Sequence, residues 1–135
     1  MNRTSLGTLF RRDMASGVPV YRQIIDQILG GIAAGSLKPG EQLPTVRQLS
    51  VDLAINPNTV VRAYRELEIR GVLSTQQGVG TFVTRQPVEP DAAERQRQLD
   101  QMVGEFIARA GGAGFSAEAI VERMQEFLAD QGRQS

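Results

Sequence analysis

Residues 43–83 constrain the fold more than any other part of this chain of 135 residues. They read LPTVRQLSVDLAINPNTVVRAYRELEIRGVLSTQQGVGTFV. Thr45 has the position of a helix N-cap and Gln48 follows three residues later, which is the spacing of a capping box. The apolar stripe of a short amphipathic helix follows at i, i+3 and i+7, on Val46, Leu49 and Leu53. The stretch therefore begins with a short, capped helix.

A second helix and a hairpin follow directly. Asn56 is a favoured N-cap, and Pro57 suits the first helical position, where its missing N–H costs nothing. Gly71 is expected to end this helix in the left-handed conformation. Two β-rich runs, residues 72–76 and 81–84, flank a loop that contains glycine. Two successive helices and a hairpin predict a winged helix-turn-helix, mainly α with a small β-wing, and therefore binding to duplex DNA.

The second helix can be divided into two faces, because successive residues turn by about 100°. The residues expected to pack on the core are Val60, Ala63, Tyr64 and Leu67. The residues opposite them are Asn58, Arg62 and Arg65, with Thr59 and Glu66 on one flank and Val61 on the other. A solvated face is the ordinary explanation of such a pattern. Because a capped helix precedes this one and a glycine-tipped hairpin follows it, and because Asn and Arg suit base edges and phosphates, we expect the polar face to contact DNA.

The composition excludes several other functions. The chain has no cysteine and no histidine, so disulfides, zinc fingers and His-dependent catalysis are unavailable to it. No cofactor is expected, since no glycine-rich phosphate loop follows a predicted strand. Glu118, Glu122 and Glu126 share one side of a helix, but without His or Cys nearby they indicate a solvated face rather than a metal site. We therefore do not expect an enzyme.

Hydropathy indicates the cellular location of the protein, and the charge distribution indicates which part of the chain binds DNA. It has no apolar run of the roughly 18 residues that a membrane span requires, and its N-terminus, MNRTSLGTLFRRDM, lacks the apolar region of a signal peptide. Together with the absence of cysteine, this favours a cytoplasmic protein with no membrane partner. Residues 1–87 carry ten basic and six acidic side chains, whereas residues 88–135 carry five and nine. DNA binding requires a local basic face, so we expect it in the first part.

The remaining segments set the domain boundaries. The apolar side of a predicted helix over residues 19–34 consists of Val20, Tyr21, Ile24, Ile25, Ile28, Leu29 and Ile32. Residues 1–17 are weakly patterned, and their apolar pair Leu9 and Phe10 leaves open whether they form a strand or pack on a neighbour. Two prolines within residues 86–90 predict a linker. We therefore expect a winged helix-turn-helix domain over residues 1–86 and a linker with a helical dimerisation region over residues 87–135.

The C-terminal region predicts a short helical hairpin, broken by the GGAG sequence of residues 111–114 and capped again by Ser116. The candidate dimerisation residues are Leu99, Met102, Val103, Phe106, Ile120, Met124 and Phe127. Two helices of this length cannot bury both apolar stripes alone, whereas four helices from two subunits can. Packing against the chain's own first helix is the competing structural explanation.

Three segments resemble the GntR family of bacterial transcriptional regulators: PVY at residues 19–21, PGEQLPTVR at 39–47 and QGVGTFV at 77–83. The short helical tail, together with the segments NPNTV at residues 56–60 and AYRELE at residues 63–68, resembles the YtrA subfamily. Members of that subfamily are homodimers and are often repressors of operons that include transporter genes. The resemblance therefore implies a homodimer that binds a pseudo-palindromic operator of double-stranded DNA.

The resemblance also implies DNA contacts from Arg47, from the turn that opens the second helix and from the wing tip. Many relatives outside the YtrA subfamily carry Arg where this chain has Pro57 and Val61, so their base contacts do not transfer. The division of the second helix into faces indicates Arg62 as the substitute. The candidate DNA contacts are Thr45, Arg47, Asn56, Asn58, Thr59, Arg62, Arg65, Gln77 and Gly78. A protein-interaction module and an architectural DNA-binding protein without a regulatory signal remain as alternatives. The sequence indicates neither the operator nor a small-molecule effector.

Overall fold

The computed structural model describes residues 10, 13, 15–85 and 91–133. The elements in chain order are α1 (Val20–Ala34), α2 (Val46–Leu53), α3 (Pro57–Ile69), β1 (Leu73–Gln76), β2 (Gly80–Val83), α4 (Ala92–Gly112) and α5 (Ala117–Arg133). This mainly helical architecture with a small antiparallel sheet confirms the predicted fold class. The predicted linker at residues 86–90 and Leu9 lie outside the described residues.

The described residues divide into two compact units, one of residues 10, 13, 15–85 and 131–133 and the other of residues 91–130. We call the described residues 10, 13 and 15–85 the winged unit, and residues 91–130 the helical unit. Among the described residues, no helix combines the length and apolar character that crossing a membrane requires.

Helix α1 is the buried support of the winged unit. It begins after Pro19, whose carbonyl accepts hydrogen bonds from the N–H groups of Arg22 and Gln23. Its buried apolar residues are Ile24, Ile25 and Ile28, which belong to the stripe predicted from periodicity. The helix ends at Gly35, whose φ of 85° is left-handed, as glycine permits without a steric penalty.

The segment before α1 is held by a buried glutamine. The Gln23 side-chain oxygen accepts from Asp13 N–H at 2.7 Å, and its amide nitrogen donates to the Val18 carbonyl at 2.8 Å. Phe10, further upstream, is 3% exposed and belongs to the core. The sequence left open whether residues 1–17 form a strand or pack on a neighbouring element. At Phe10 the structure shows packing, against the core.

Helices α2 and α3 form the helix-turn-helix, and both begin with the predicted caps. The Thr45 hydroxyl accepts from the Gln48 N–H at 3.0 Å, and the Asn56 side chain accepts from the Asn58 N–H at 2.8 Å. Only the Thr45 half of the predicted capping box forms in the described residues. Ala54 ends α2 with a left-handed φ of 56°, a conformation that costs a residue with a Cβ roughly 1–2 kcal/mol.

The wing is an antiparallel hairpin whose strands lie one residue from the predicted bounds. Leu73 pairs with Val83 and Gln76 with Gly80. Residues 40–43 flank the other edge of β2, where Leu43 N–H donates to the Thr81 carbonyl and Val83 N–H to the Glu41 carbonyl, both at 2.8 Å. Gly71 (φ 80°) precedes the hairpin in the left-handed conformation, as predicted. The wing is thus joined to the segment that leads into α2.

One core lies between α1, α2, α3 and the base of the wing. Its fully buried large side chains are Ile25, Ile28, Leu37, Leu43, Leu49, Val60 and Leu67. Tyr64 adds a buried polar link, since its hydroxyl donates to the Pro44 carbonyl at 2.8 Å. Burial raises the pKa of Tyr64 far above its ordinary value, so the phenol stays protonated. The core therefore fixes α3 against the start of α2.

The helical unit contains α4 and α5 as far as Asp130. Asp91 caps α4 by accepting from the Glu94 N–H, and Ser116 caps α5 by accepting from the Ala119 N–H. The prediction that residues 111–114 break the first helix is wrong for its first two glycines, because α4 continues through Gly112. Hydrogen bonds within the helix outweigh the cost of about 1 kcal/mol that each glycine carries. No residue of α4 is buried.

Candidate nucleic-acid interface

The outer face of α3 is open and polar. Asn58, Arg62 and Arg65 are exposed, whereas Val60 and Leu67 on the opposite side are fully buried. The exposed residues border a shallow depression of about 660 Å³ lined by Asn58, Val61, Arg62, Arg65, Glu66, Ile69 and Arg70. The two guanidinium groups on this face of α3, those of Arg62 and Arg65, make the surface attractive to phosphate and to guanine edges. The division into faces predicted from the helical angle is therefore correct.

The first turn of α2 exposes a second candidate contact. Arg47 and Thr45 are both exposed, and they line a shallow surface together with Gln48, Val51 and Asp52. A cation at this position opposes the helix dipole, whose positive end lies at the N-terminus. A phosphate near the same helix end would interact favourably with both the dipole and the guanidinium. The position of Arg47 thus suits a backbone contact.

The turn that opens α3 combines capping with exposure. Asn56 is exposed, but its side-chain oxygen is used to cap the helix. Thr59 is half-buried, and its N–H donates to the Asn56 carbonyl at 2.9 Å. The Asn56 side-chain NH2 group therefore remains as the donor that this residue can offer to a partner.

The wing tip forms a third exposed group. Gln77 and Gly78 are exposed, and Gly78 is left-handed with a φ of 77°. Gln42 supports the tip from beneath, since its side-chain amide donates to the Val79 carbonyl at 3.2 Å. A Cβ added at Gly80 would collide with that amide, so glycine permits this close approach. The tip is therefore held in position by residues outside the hairpin.

Arg62 makes a contact that periodicity could not predict. Its guanidinium carbon lies 3.7 Å from the centre of the Tyr21 ring on α1, a cation–π geometry. Glu66, which would be its ion-pair partner at i+4, instead contacts Arg70 at 2.6 Å. Tyr21 appears in the sequence only as part of a helix stripe, so no local pattern connects it with Arg62.

The predicted dimerisation residues form an exposed apolar stripe on the helical unit. The exposure of the large apolar side chains of α4 and α5 lies between 43% and 60%, and Ile120 is half-buried. An open groove of about 590 Å³ runs between the two helices, with Phe106, Ala110, Phe115, Ala119, Ile120 and Met124 in its lining. Glu126 pairs with Arg123 at 2.8 Å. Within the described ranges, acidic residues form no cluster able to hold a metal ion.

Comparison with known proteins places this architecture among regulators. The family model described as "Bacterial regulatory proteins, gntR family" matches residues 20–83, the segment from α1 to the end of β2. The HTH-type transcriptional repressor YtrA of Bacillus subtilis (strain 168) is 35% identical over 118 residues, which cover 87% of this chain and 91% of that repressor.

Two solved structures extend the similarity over both units. YtrA from Sulfolobus acidocaldarius, a GntR-family transcription factor, is 33% identical and has a TM-score of 0.53, covering 90% of this chain and 97% of that chain. A Listeria monocytogenes EGD-e protein described as a transcriptional antiterminator is 30% identical and has a TM-score of 0.66, covering 90% and 91%.

Proposed function

The chain belongs to the GntR family of bacterial regulatory proteins and is a DNA-binding transcriptional regulator, and on this premise we propose that it acts in the cytoplasm as a homodimeric repressor. Its site is a pseudo-palindromic operator in double-stranded DNA. The similarity to the repressor YtrA supports the direction of regulation. The resemblance to the YtrA subfamily supports an operon that includes transporter genes as its target.

The observation that carries this proposal is the two-sided character of α3. One side is fully buried through Val60, Ala63 and Leu67, so the helix is firmly attached to the core. The other side exposes Asn58, Arg62 and Arg65. In a helix-turn-helix the N-terminal part of the second helix enters the major groove. A rigid helix with polar, cationic residues on its free side fits that role.

The nine candidate contacts divide into two roles. We assign Arg62 and Asn58 to base edges, because they lie in the first two turns of α3 and their side chains can make bidentate contacts with guanine and adenine. We assign the others to phosphate and sugar, which position the protein on the duplex without reading sequence. These other residues are Thr45, Arg47, Asn56, Thr59, Arg65, Gln77 and Gly78.

A second copy of the chain is proposed to cover the apolar stripe of the helical unit. The stripe residues Leu99, Met102, Val103, Phe106, Ile120, Met124 and Phe127 would then form the core of a four-helix arrangement. The competing partner, α1, already buries Ile24, Ile25 and Ile28 within the winged unit. A contiguous exposed apolar surface generally marks an interaction site. Dimerisation would bury the stripe, and it would match a two-fold symmetric operator.

The rival function, protein docking through α3, would favour apolar residues at the centre of the outer face. Ile69 is 79% exposed there, but it lies at the C-terminal end of the helix. The N-terminal turns, which a DNA groove would admit, carry one partly exposed apolar residue, Val61, beside the polar Asn58 and Arg62. The distribution of side chains along α3 therefore favours DNA.

Selection of duplexes from a random pool with the purified protein tests the proposal. We expect a single pseudo-palindromic sequence whose half-sites are separated by about one helical turn or a multiple of it. The symmetry of the selected sequence reports the assembly, and its conserved base pairs report the reading residues. Recovery of unrelated sequences would contradict sequence-specific regulation, and recovery of a lone half-site would contradict the dimer.

A further inference from the structure

We propose that Tyr21 is a positioning residue of the DNA interface, which holds the Arg62 guanidinium by stacking and so presents its N–H groups to the major groove. This inference rests on the proposed role of Arg62 as a base reader. Tyr21 packs against the edge of the core, and the proposal gives its ring a second role at the DNA interface. Tyr21 is half-buried, and the Arg62 guanidinium lies over its ring.

The geometry leaves the useful part of the guanidinium free. Its carbon lies 3.7 Å from the centre of the Tyr21 ring, a separation at which the ring and the planar group can lie face to face. The five N–H donors of an arginine lie in the plane and point outward from its edge. Stacking therefore stabilises the cation without using the donors that a guanine O6 and N7 would accept from.

The nearest competing partner within the helix is already occupied. An ion pair with Glu66 at i+4 would direct Arg62 along α3 and would neutralise it. Glu66 instead pairs with Arg70 at 2.6 Å. Glu66 therefore does not neutralise the positive charge of Arg62. The uncharged ring of Tyr21 restricts the Arg62 side chain instead.

The position of Tyr21 is itself well fixed. It lies in the first turn of α1, where the Pro19 carbonyl accepts from the N–H groups of Arg22 and Gln23 at 3.0 Å and 3.1 Å. The side chain of Gln23 then fastens the preceding segment through Asp13 and Val18. Since arginine loses considerable rotamer freedom when it binds, a ring attached to a fixed helix start lowers the entropy lost on docking.

The test compares Tyr21→Leu and Tyr21→Phe in the full chain, on the duplex recovered by selection from a random pool and on a scrambled duplex of equal length. Tyr21→Leu should weaken binding to the selected duplex about two- to fivefold, the range expected for an exposed cation–π contact. Tyr21→Phe keeps the ring and should retain wild-type affinity. Tyr21→Leu should also reduce discrimination at the base pair that Arg62→Ala affects, and at no other.

A double-mutant cycle supplies the decisive outcome, because Tyr21 is proposed to act only through Arg62. Tyr21→Leu should have no further effect on binding when Arg62 is already alanine. An undiminished effect in that background would overturn the inference, and so would an equal loss in Tyr21→Phe, which would indicate a contact by the hydroxyl. Unchanged or tighter binding by Tyr21→Leu would overturn it as well.

The design separates this inference from the proposed function. If Arg62→Ala alters base preference and Tyr21→Leu does not, only the positioning role fails. If Arg62→Ala leaves affinity and preference unchanged, the assignment of Arg62 as a base reader fails and the inference fails with it. Thermal unfolding of each variant checks that lost binding does not come from lost fold.

Discussion

The winged unit and the helical unit treat their apolar residues in opposite ways. In the winged unit the apolar stripes of α1, α2 and α3 converge on one core, where Leu49, Val60 and Leu67 are fully buried. In the helical unit the stripe on α4 and α5 stays exposed, and Phe106 is still 43% accessible. Both regions have the same amphipathic periodicity, so periodicity alone does not decide whether a stripe is buried within one chain.

The difference lies in the number of elements that share each stripe. Three helices and a hairpin can surround a core, whereas two helices leave half of every apolar face uncovered. The two units also differ in charge, because the winged unit exposes arginines on α3, whereas acidic side chains outnumber basic ones in the helical unit. We therefore expect the winged unit to meet DNA and the helical unit to meet a second copy of itself.

The largest expected effect comes from placing a charge in the exposed stripe. Phe106→Asp should convert dimers into monomers, since the carboxylate would be buried without a partner. Operator affinity should fall by at least about 100-fold, because two linked half-site contacts would become independent events. Sedimentation measures the assembly, and titration of the selected duplex measures the affinity.

Ala108→Asp is the matched control for this change. Ala108 is exposed on α4, and it lies roughly opposite the apolar stripe by helical angle. The same new charge there should leave both the dimer and the operator affinity unchanged. If Phe106→Asp still sediments as a dimer, the exposed stripe of the helical unit is not the dimer interface, and the proposed difference between the two units is wrong.

The next largest effect tests whether the core of the winged unit is complete within one chain. Leu67→Ala should lower the free energy of unfolding by about 2–5 kcal/mol through the cavity it leaves, and by the same amount at every protein concentration. Phe127→Ala should destabilise the protein by an amount that changes with concentration, because stabilisation by a partner follows mass action. Denaturant unfolding at two concentrations about 100-fold apart distinguishes the two variants, and a concentration-independent result for Phe127→Ala would count against the dimer.

Local signals account for what could be predicted from the sequence. Caps at Thr45 and Asn56 and the buried face of α3 depend on residues within one or two turns of each other, and all are confirmed. The Tyr21–Arg62 stack and the Gln23 bonds to Asp13 and Val18 depend on how separate segments pack, which no spacing reveals.

Two local features could not be predicted, because the residues concerned adopt backbone conformations that their type disfavours. Ala54 adopts a left-handed conformation without being glycine, and Gly112 remains helical although glycine favours a break. In both cases the surrounding structure overrides a preference of about 1–2 kcal/mol. Which of the exposed residues contact DNA stays a prediction, since exposure identifies a surface but not its partner.

A third prediction separates the outer face of the winged unit from the stripe of the helical unit. Arg62→Ala should cost about 1–3 kcal/mol of binding free energy on the selected duplex and less on random DNA, through loss of a bidentate contact to guanine. Arg47→Ala should weaken both complexes alike and reduce the salt slope by about one, as expected for a phosphate contact. Neither change should alter the oligomeric state.

Duplexes varied one base pair at a time check the assignment of the two arginines. Arg62→Ala should lose preference at one position in each half-site, while Arg47→Ala keeps every preference. If Arg62→Ala retains the wild-type preferences throughout, Arg62 does not read bases. If Arg47→Ala loses affinity only on the selected duplex, the roles of the two residues are exchanged.

The smallest expected effect concerns the buried hydrogen bond of Tyr64, which links α3 to the start of α2. Tyr64→Phe removes the 2.8 Å hydrogen bond to the Pro44 carbonyl and should lower the free energy of unfolding by about 1 kcal/mol.

Because burial raises the pKa of Tyr64 in the folded protein, the phenol of the unfolded chain ionises first, at about pH 10. The wild type should therefore lose stability as the pH rises above about 10, and its advantage over Tyr64→Phe should shrink there. Denaturant unfolding at neutral and high pH measures both effects, with Tyr21→Phe as the control for loss of a half-buried phenol. Equal stability of Tyr64→Phe and wild type at neutral pH would mean that this hydrogen bond adds nothing and that apolar packing fixes α3. The winged unit would then resemble the proposed dimer of helical units, which apolar packing alone is proposed to hold together.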